Sequence, residues 1–250
     1  MAEAPFEIWV GNLASYVEGK LEGEWISLPQ KEKDLKAAIA AISKNGKDEI
    51  AIMDYSFRPD CVYLKDCINE WSKATELNII AKLIGDEEHS KVEAYLNTTS
   101  GLSLSEIANL FMQEDEIPFY EYEFEGSNNE MLMKRLSDEE KMGYTLLERN
   151  VELKRQLEMV EIGGSSALFY LNIEAIGRDY SYSGFATLYE NGYYNMSESG
   201  PDLSYYTMEE IAEEIAEQEQ ELEEKREEEI QEETIKEKPQ QRMQEKAPSL

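Results

Sequence analysis

The alternation of apolar and polar residues divides the first sixty residues into short strands and one helix. Residues 6–10 and 24–28 are rich in aromatic and β-branched side chains and are separated by glycines, a pattern typical of strands. Across residues 35–42, apolar residues recur at the spacing of one helix face. Residues 49–53 predict a third strand. The pattern therefore indicates an N-terminal α+β domain over residues 1–60.

Residues 61–115 predict a mainly helical domain. One stripe of apolar residues at helical spacing comprises Leu64, Cys67, Ile68 and Trp71. A less regular helix follows around His89. Ser103 and Glu106 have the spacing of a capping box, in which a hydroxyl and a carboxylate satisfy the first N–H groups of a helix. They predict the start of a further helix.

Residues 116–207 predict a second α+β domain. Rings and carboxylates partly alternate over residues 119–124, which indicates a half-exposed strand. Ser127 and Glu130 have capping-box spacing, and helix is expected from there to about Val160. Another helix is expected over 167–176. Strands flanking Asn191-Gly192 then predict a hairpin over 185–196, because this dipeptide suits a tight primed turn.

The composition changes at Met208. A few apolar residues there could begin an amphipathic helix, but like charges four residues apart recur and weaken it. Residues 208–250 are therefore expected to be a Glu-rich tail, helical or disordered. The predicted fold class is α+β, an elongated chain of three small domains followed by this acidic tail.

Negative charge is the dominant feature of the composition. The chain has 54 Asp and Glu against 24 Lys and Arg, a net charge of −30. Residues 208–250 contribute 16 acidic and 6 basic residues, which leaves 38 and 18, a net −20, in residues 1–207. The folded body is thus acidic in its own right. Such charge repels nucleic acid and membranes and attracts a basic surface, although charge that serves solubility alone is the alternative.

The same residues argue against several other classes of protein. No run of about eighteen apolar residues is present to cross a membrane. The acidic N-terminus lacks the basic region that precedes the apolar core of a signal peptide. Cys61 and Cys67 are too few for a disulfide framework. We interpret both as packing residues of a protein in a reducing cytoplasm.

No reaction centre is predicted. Gly11 and Gly19 are separated by seven residues rather than the four of a phosphate-binding loop, so a turn is the better interpretation. His89 lies among carboxylates and is interpreted as a residue on a helix surface rather than a metal ligand. Pro59-Asp60 resembles the start of a nuclease motif but lacks its continuation. We therefore expect no catalytic residue, cofactor or metal, and a protein that is not an enzyme.

Six tyrosines in the C-terminal third have two interpretations. They are Tyr170, Tyr180, Tyr182, Tyr189, Tyr193 and Tyr194. Packing across a small hairpin is the simpler interpretation. A self-association surface is the other, because aromatic residues are enriched at interfaces.

Five short segments follow one another in a fixed order, namely Ile8–Leu13, Glu18-Gly19, Gly23–Pro29, Ile52–Tyr55 and Glu174–Asp179. In this order and spacing they resemble the ArdA family of antirestriction proteins. The family-motif positions within them are Asn12, Leu13, Gly19, Trp25, Pro29, Asp54, Tyr55, Glu174, Ala175, Arg178 and Asp179. The resemblance covers roughly residues 6–196. Residues 128–162 depart from the family pattern in being longer and more basic, and the tail after Thr207 has no counterpart.

The resemblance implies a non-enzymatic inhibitor of type I restriction–modification enzymes. It implies three small domains and a homodimer joined through the C-terminal domains. Distributed Asp and Glu side chains would imitate DNA phosphates and occupy the cleft of the modification and specificity subunits, with no single residue essential. The alternative is an acidic interaction module that binds another basic DNA-binding protein, such as a nucleoid protein. A hydrolase is a third and weaker hypothesis.

Overall fold

The computed structural model describes residues 4–86 and 88–244. Residues up to Tyr205 form one compact unit, and the residues from Tyr206 onward form a second. Helices and small antiparallel sheets alternate along the first unit. The predicted α+β class is therefore confirmed.

A three-stranded antiparallel sheet dominates the N-terminal region. Its central strand is β1 (Phe6–Asn12), flanked by β2 (Gly23–Leu28) and β3 (Ile50–Phe57). The short helix α1 (Leu13–Val17) follows β1 directly, and α2 (Glu32–Ile42) connects β2 to β3. The strands and the helix predicted here are confirmed, with ends that differ by at most four residues.

Alternation along the strands places one face of this sheet in the core. Phe6, Ile8 and Val10 of β1 are almost fully buried, as are Ile26 and Leu28 of β2. Because successive side chains of a strand point to opposite faces, the residues between them lie on the other face. Each of these apolar side chains contributes about 1.5–3 kcal/mol by its burial.

The central region is helical. It contains a 3₁₀ helix (Pro59–Leu64), α3 (Ala74–Ile84), α4 (Ser90–Thr98), α5 (Leu104–Met112) and a 3₁₀ turn (Glu114–Glu116). The capping box at the start of α5 is confirmed. Ser103 accepts a hydrogen bond from the Glu106 N–H, and the Glu106 carboxylate accepts one from the Ser103 N–H.

The helical stripe predicted through Trp71 is wrong. Only Pro59–Leu64 is helical, and turns follow until α3 begins. The Asn69 side chain accepts a hydrogen bond from the Trp71 N–H at 2.9 Å, which competes with helical bonding. The Ile52 N–H also bonds to the Glu70 carbonyl at 3.1 Å and holds this segment against β3. Trp71 is consequently exposed.

The C-terminal region combines helices with a second sheet. Its helices are α6 (Glu130–Met133), α7 (Asp138–Arg149), α8 (Val151–Met159), a 3₁₀ helix (Ala167–Tyr170) and α9 (Ile173–Tyr182). Its strands are β4 (Phe119–Glu121), β5 (Glu161–Ile162), β6 (Ser165–Ser166), β7 (Ala186–Leu188) and β8 (Gly192–Asn195). The sheet order is β4–β8–β7, and β5 pairs with β6 alone.

Two predicted helix boundaries in this region are wrong. Ser127 does not form a capping box, because Asn129 caps α6 by accepting a hydrogen bond from the Leu132 N–H. The helix expected over 167–176 is divided instead. Asn172 accepts a hydrogen bond from the Ala175 N–H and starts α9 after the 3₁₀ helix has ended. Asparagine at a cap offers the backbone this alternative partner.

The hairpin formed by β7 and β8 is confirmed, but its turn is not of the predicted primed type. Such turns require positive φ, and neither Asn191 nor Gly192 has it. Gly192 instead belongs to β8, where it pairs with Glu121 of β4. The Tyr189 N–H donates to the Gly192 carbonyl at 2.9 Å and closes the loop.

Helices α7 and α9 approach each other unusually closely at two glycines. A Cβ atom at Gly177 would lie 1.9 Å from the Glu139 carbonyl oxygen, and one at Gly143 would lie 2.1 Å from the Ile173 carbonyl oxygen. No side chain fits at either position. The crossing therefore requires glycine on both helices.

The second unit contains the long helix α10 (Met208–Gln244). It begins with a capping box, because Thr207 Oγ1 accepts from the Glu210 N–H while the Glu210 carboxylate accepts from the Thr207 N–H. Residues 245–250 of the predicted tail lie outside the described residues. No helix in the described ranges has the length and apolar character needed to cross a membrane.

Candidate functional site

The motif residue Asn12 ties the end of β1 to the elements beside it. Its Oδ1 caps α1 by accepting a hydrogen bond from the Ser15 N–H at 2.9 Å. Its Nδ2 donates to the Ile42 carbonyl at 2.8 Å and to the Asp48 carboxylate at 2.9 Å. The side chain is buried and all its hydrogen-bonding groups are used. Asn12 is therefore a structural residue of the N-terminal sheet.

The motif residues Leu13 and Gly19 shape the loop that leads into β2. The Leu13 N–H donates to the Glu49 carbonyl at 2.9 Å. Gly19 has φ of +78°, which L side chains rarely adopt, and its N–H closes the end of α1 on the Tyr16 carbonyl. Ser15 Oγ donates to the Glu22 carboxylate at 2.6 Å across the loop. The loop from 16 to 22 is thus held from both ends.

Three side chains form a row across the outer face of the N-terminal sheet. Trp25 of β2 and Asp54 of β3 each lie directly opposite Trp9 of β1. The two indole rings meet edge to face, with centroids 5.8 Å apart. The motif residues Trp25 and Asp54 are therefore brought to one face by the strand register.

The remaining motif residues of this region lie at the strand ends. Pro29 follows β2 through a cis peptide bond with Leu28. Tyr55 packs edge-on against Phe57, and its hydroxyl donates to the Lys65 carbonyl at 3.3 Å. The Tyr55 N–H bonds to the carboxylate of Asp54.

The C-terminal motif residues lie on α9. Glu174 and Arg178, one turn apart, form an ion pair at 3.5 Å. Ala175 supplies the N–H that Asn172 caps. Asp179 is exposed, and its carbonyl accepts bonds from Ser183. These four residues flank Gly177 in the sequence. The motif segment is therefore the part of α9 that crosses closely over α7.

Carboxylates cover the surface of the first unit. Of the 36 Asp and Glu residues within 4–86 and 88–205, 27 are exposed and none is buried. Several are held ionised by their neighbours. A hydrogen bond from Ser15 and the nearby Lys44 ammonium lower the pKa of Glu22, and the Asn12 amide lowers the pKa of Asp48. Most of the negative charge of the first unit therefore faces water.

One groove of the first unit has a volume of about 1340 Å³. Seven acidic side chains line it, namely Asp60, Asp66, Glu88, Glu93, Glu121, Glu130 and Glu190. Lys65, Lys134 and Lys141 also line it, so the acidic residues are in excess. This charge opposes the binding of a phosphate ligand.

The prediction that His89 lies on a helix surface is wrong. Its side chain is only 8 % exposed, and its ring meets Phe111 edge to face with centroids 5.0 Å apart. Nδ1 lies 2.6 Å from the Glu114 carboxylate and Nε2 lies 3.0 Å from the Ile84 carbonyl. Both partners are acceptors, so both nitrogens donate only when the ring is protonated. His89 precedes α4 and links it to the ends of α3 and α5.

The groups that could support reaction chemistry have structural partners. Asp60 binds the Arg58 guanidinium, with Nε 2.7 Å from Oδ1. Burial raises the pKa of Cys61 and of Cys67 to about 11, which favours the unreactive thiol. Among the described residues, no group of three or more His, Cys, Asp or Glu side chains is arranged to hold a metal ion.

The six tyrosines divide between the two interpretations. Tyr193 and Tyr194 are buried in the hairpin, and the Tyr189 hydroxyl donates to the Ala94 carbonyl at 3.1 Å. Tyr180, which is half-buried, packs on Phe185. Tyr170 and Tyr182 are exposed. Most of the cluster is therefore packing, and two members remain on the surface.

Those two tyrosines belong to a larger exposed group, which we name the C-terminal apolar surface. It comprises Val151, Leu153, Met159, Val160, Ile162, Phe169, Tyr170, Tyr182 and Phe185. Sequence periodicity did not reveal it, because α8 buries no residue on any face. The segment from 149 to 188 that contains this surface has four basic and five acidic residues, a net charge of −1.

Comparison with known proteins identifies one matching family. A sequence model of the family described as antirestriction protein (ArdA) matches residues 8–195. A search of curated proteins found no significant match. The matched range includes every motif residue considered above.

Proposed function

The chain belongs to the ArdA family of antirestriction proteins, and on this premise we propose that it is a non-enzymatic DNA mimic that inhibits type I restriction–modification enzymes. In this proposal its carboxylates occupy the DNA-binding cleft formed by the modification and specificity subunits. Cleavage of foreign DNA is then blocked because the cleft is filled.

The distribution of carboxylates on the first unit carries this proposal. B-DNA presents one negative charge per about 1.7 Å of its axis, and DNA-binding proteins meet it with Lys and Arg. Exposed carboxylates of the first unit offer the same kind of contact to such a cleft. Contacts to phosphates position a duplex but carry no base information. A mimic of phosphates therefore inhibits enzymes with different target sequences.

We further propose that residues 1–60, 61–115 and 116–207 act as three small domains, followed by the Glu-rich tail. The motif positions serve this architecture. Asn12 and Gly19 build the N-terminal loop, and the segment around Gly177 permits the α7–α9 crossing. On this view the motif positions maintain the fold, and the acidic contacts come from residues outside the motifs.

A homodimer through the C-terminal domain completes the proposal. The C-terminal apolar surface supports it, because a concentration of exposed apolar side chains within one stretch of chain is typical of interaction sites. Charge favours a second copy as the occupant. Of the net −20 in residues 1–207, only −1 lies between 149 and 188. Two copies that repel each other elsewhere are able to approach there.

The test is a restriction-protection assay in cells that carry a type I system. Phage with unmodified target sites is plated on cells with and without this protein. We expect plating to rise to the level seen without the restriction system. The matched control is a strain with a type II enzyme that works as a single dimer, where no protection is expected.

The outcome also separates the competing functions. Failure of protection, together with recovery of a nucleoid protein as the bound partner, would favour the acidic interaction module. Metal-dependent turnover of nucleic acid by the purified protein would favour a hydrolase. Binding of the purified modification complex in competition with DNA would support the mimic directly.

A further inference from the structure

We infer that the end of α1 and the turn that leads into β2 form an apolar anchor for a basic protein partner. This segment, residues 16–22, is called the loop below and exposes Tyr16, Val17 and Leu21, with 59 %, 85 % and 71 % of their surfaces accessible. The inference rests on the proposed function, because the partner it names is the basic DNA-binding surface of the restriction–modification enzyme. It adds a contact that DNA itself does not make.

The loop is rigid enough to present these side chains. Its base is fixed by the Asn12 cap on Ser15, and its tip is closed by Gly19 and by the Lys20 N–H bond to the Ser15 carbonyl at 2.9 Å. Ser15 Oγ then bonds Glu22 on the returning strand. An anchor held in one conformation loses little conformational entropy on binding.

The surroundings of the loop are acidic. Glu18, Glu22 and Glu24 are exposed within or directly after it. Lys20 pairs with Glu18, and Lys44 lies near Glu22 and Asp48, so carboxylates still outnumber the cations around the loop. Apolar side chains encircled by charged groups are the usual arrangement of an interface hot spot with its polar rim. The negative rim selects a positively charged partner and disfavours a second copy of this acidic chain.

The two kinds of contact have different roles. Carboxylates supply long-range attraction, which salt screens. Apolar burial is short-ranged and is not weakened by salt in this way. An enzyme cleft that also buries Val17 and Leu21 would retain part of its affinity for this protein at ionic strengths that release DNA. The loop would therefore help the inhibitor to compete with DNA for the enzyme cleft.

The experiment measures binding of the full chain to a purified type I modification complex. Val17→Ser with Leu21→Ser is compared with wild type and with Trp71→Ser, an exposed apolar residue elsewhere. We expect the double variant to bind about tenfold more weakly. The factor should be equal at low and at high salt, and Trp71→Ser should bind like wild type. Thermal melts confirm that each variant is folded, and Val17→Ser alone is used should the double variant unfold.

Three results would overturn the inference. Unchanged affinity of folded loop variants, with wild type binding normally, would reject the anchor and leave the DNA mimic standing. A change in oligomeric state would assign the loop to self-association instead. Wild type that fails to bind the modification complex at all would reject both the anchor and the proposed function.

Discussion

The two exposed apolar regions of the first unit differ in their electrostatic setting. The loop at residues 16–22 carries three apolar side chains among glutamates. The C-terminal apolar surface carries nine within a segment of net charge −1. Apolar exposure alone does not distinguish the two regions. In our proposal the charge around each selects its partner, a basic protein at the loop and a second copy at the C-terminal surface.

In our proposal one acidic protein combines self-association with target binding. The difference in local charge keeps these two functions apart. Like-charged copies repel each other, so self-association needs a region from which charge has been removed. Target binding needs a region in which negative charge is concentrated. The five predictions that follow test this division, in order of decreasing expected effect.

A change in salt concentration should distinguish target binding from dimerisation more strongly than any other change. Raising salt from about 50 to about 200 mM should weaken binding to the modification complex by roughly a hundredfold or more, as it weakens DNA binding. Dimerisation should be unchanged or slightly tighter, because screening reduces repulsion between the copies. Titration calorimetry measures the first equilibrium and sedimentation equilibrium the second. Target binding that is flat with salt would contradict a mimic that acts through charge.

Charge placed in the C-terminal apolar surface should dissociate the dimer. Ile162→Glu with Phe169→Glu puts four unpaired carboxylates into the interface of two copies. We expect the dimer dissociation constant to rise about a hundredfold, or about 2.7 kcal/mol. Val17→Glu in the N-terminal loop is the control and should leave the dimer intact. Light scattering after gel filtration reads out both, and a dimer that persists in the double variant would place the interface elsewhere.

A side chain at the α7–α9 crossing should destabilise the C-terminal domain. Gly177→Ala places Cβ against the Glu139 carbonyl, so the helices must separate. We expect a loss of about 1–3 kcal/mol in the free energy of unfolding. Gln156→Ala, at an exposed position of α8 in the same region, is the control. Circular dichroism follows the whole fold. Tryptophan emission should change less, since all three tryptophans lie before residue 116.

No single carboxylate should be essential for target binding. Glu24→Gln removes one exposed charge, and we expect a loss below about 1 kcal/mol in the binding free energy. Replacing several such residues together should weaken binding progressively. The control is Glu106→Ala, which removes the acceptor of a helix cap and should change stability rather than affinity. Loss of activity from one folded single variant would indicate a specific site instead.

Acid should loosen the base of the N-terminal loop. The pKa values of Glu22 and Asp48 are lowered in the folded protein, Glu22 by the Ser15 hydrogen bond and Asp48 by the Asn12 amide. Their contribution to stability is therefore complete above the unfolded pKa of about 4 and is lost as the pH falls through the folded values. When the pH is lowered from 7 to 3.5, the melting temperature of Glu22→Gln should fall less than that of wild type. Glu24→Gln should behave as wild type.

Short-range patterns predicted the elements whose cause is local. The alternation in β1 and the Ser103–Glu106 capping box each depend on residues a few positions apart, and both are confirmed. The stripe through Trp71 failed because its outcome depends on a hydrogen bond from Ile52, far along the chain. Tertiary partners of this kind leave no trace in local periodicity.

The acidic charge of the candidate site could be predicted from the sequence, but the apolar side chains that it exposes could not. Composition alone indicates an acidic surface. The exposure of Val17 and Leu21 could not be inferred, because valine and leucine are among the residues most often buried. His89 was misplaced for a related reason. Its acidic neighbours in sequence suggested a surface position, whereas Glu114 and Ile84 hold its ring inside.

The burial of His89 gives the protein a built-in spectroscopic reporter. The chain has one histidine, so its imidazole carbons and protons give unique nuclear magnetic resonance signals that need no assignment by mutation. The ring touches Phe111 and bonds Glu114 and Ile84, which belong to different elements. Any rearrangement among α3, α4 and α5 on engaging an enzyme would change those signals. The junction of the central helices is therefore observable in the unlabelled, unmodified inhibitor as it binds.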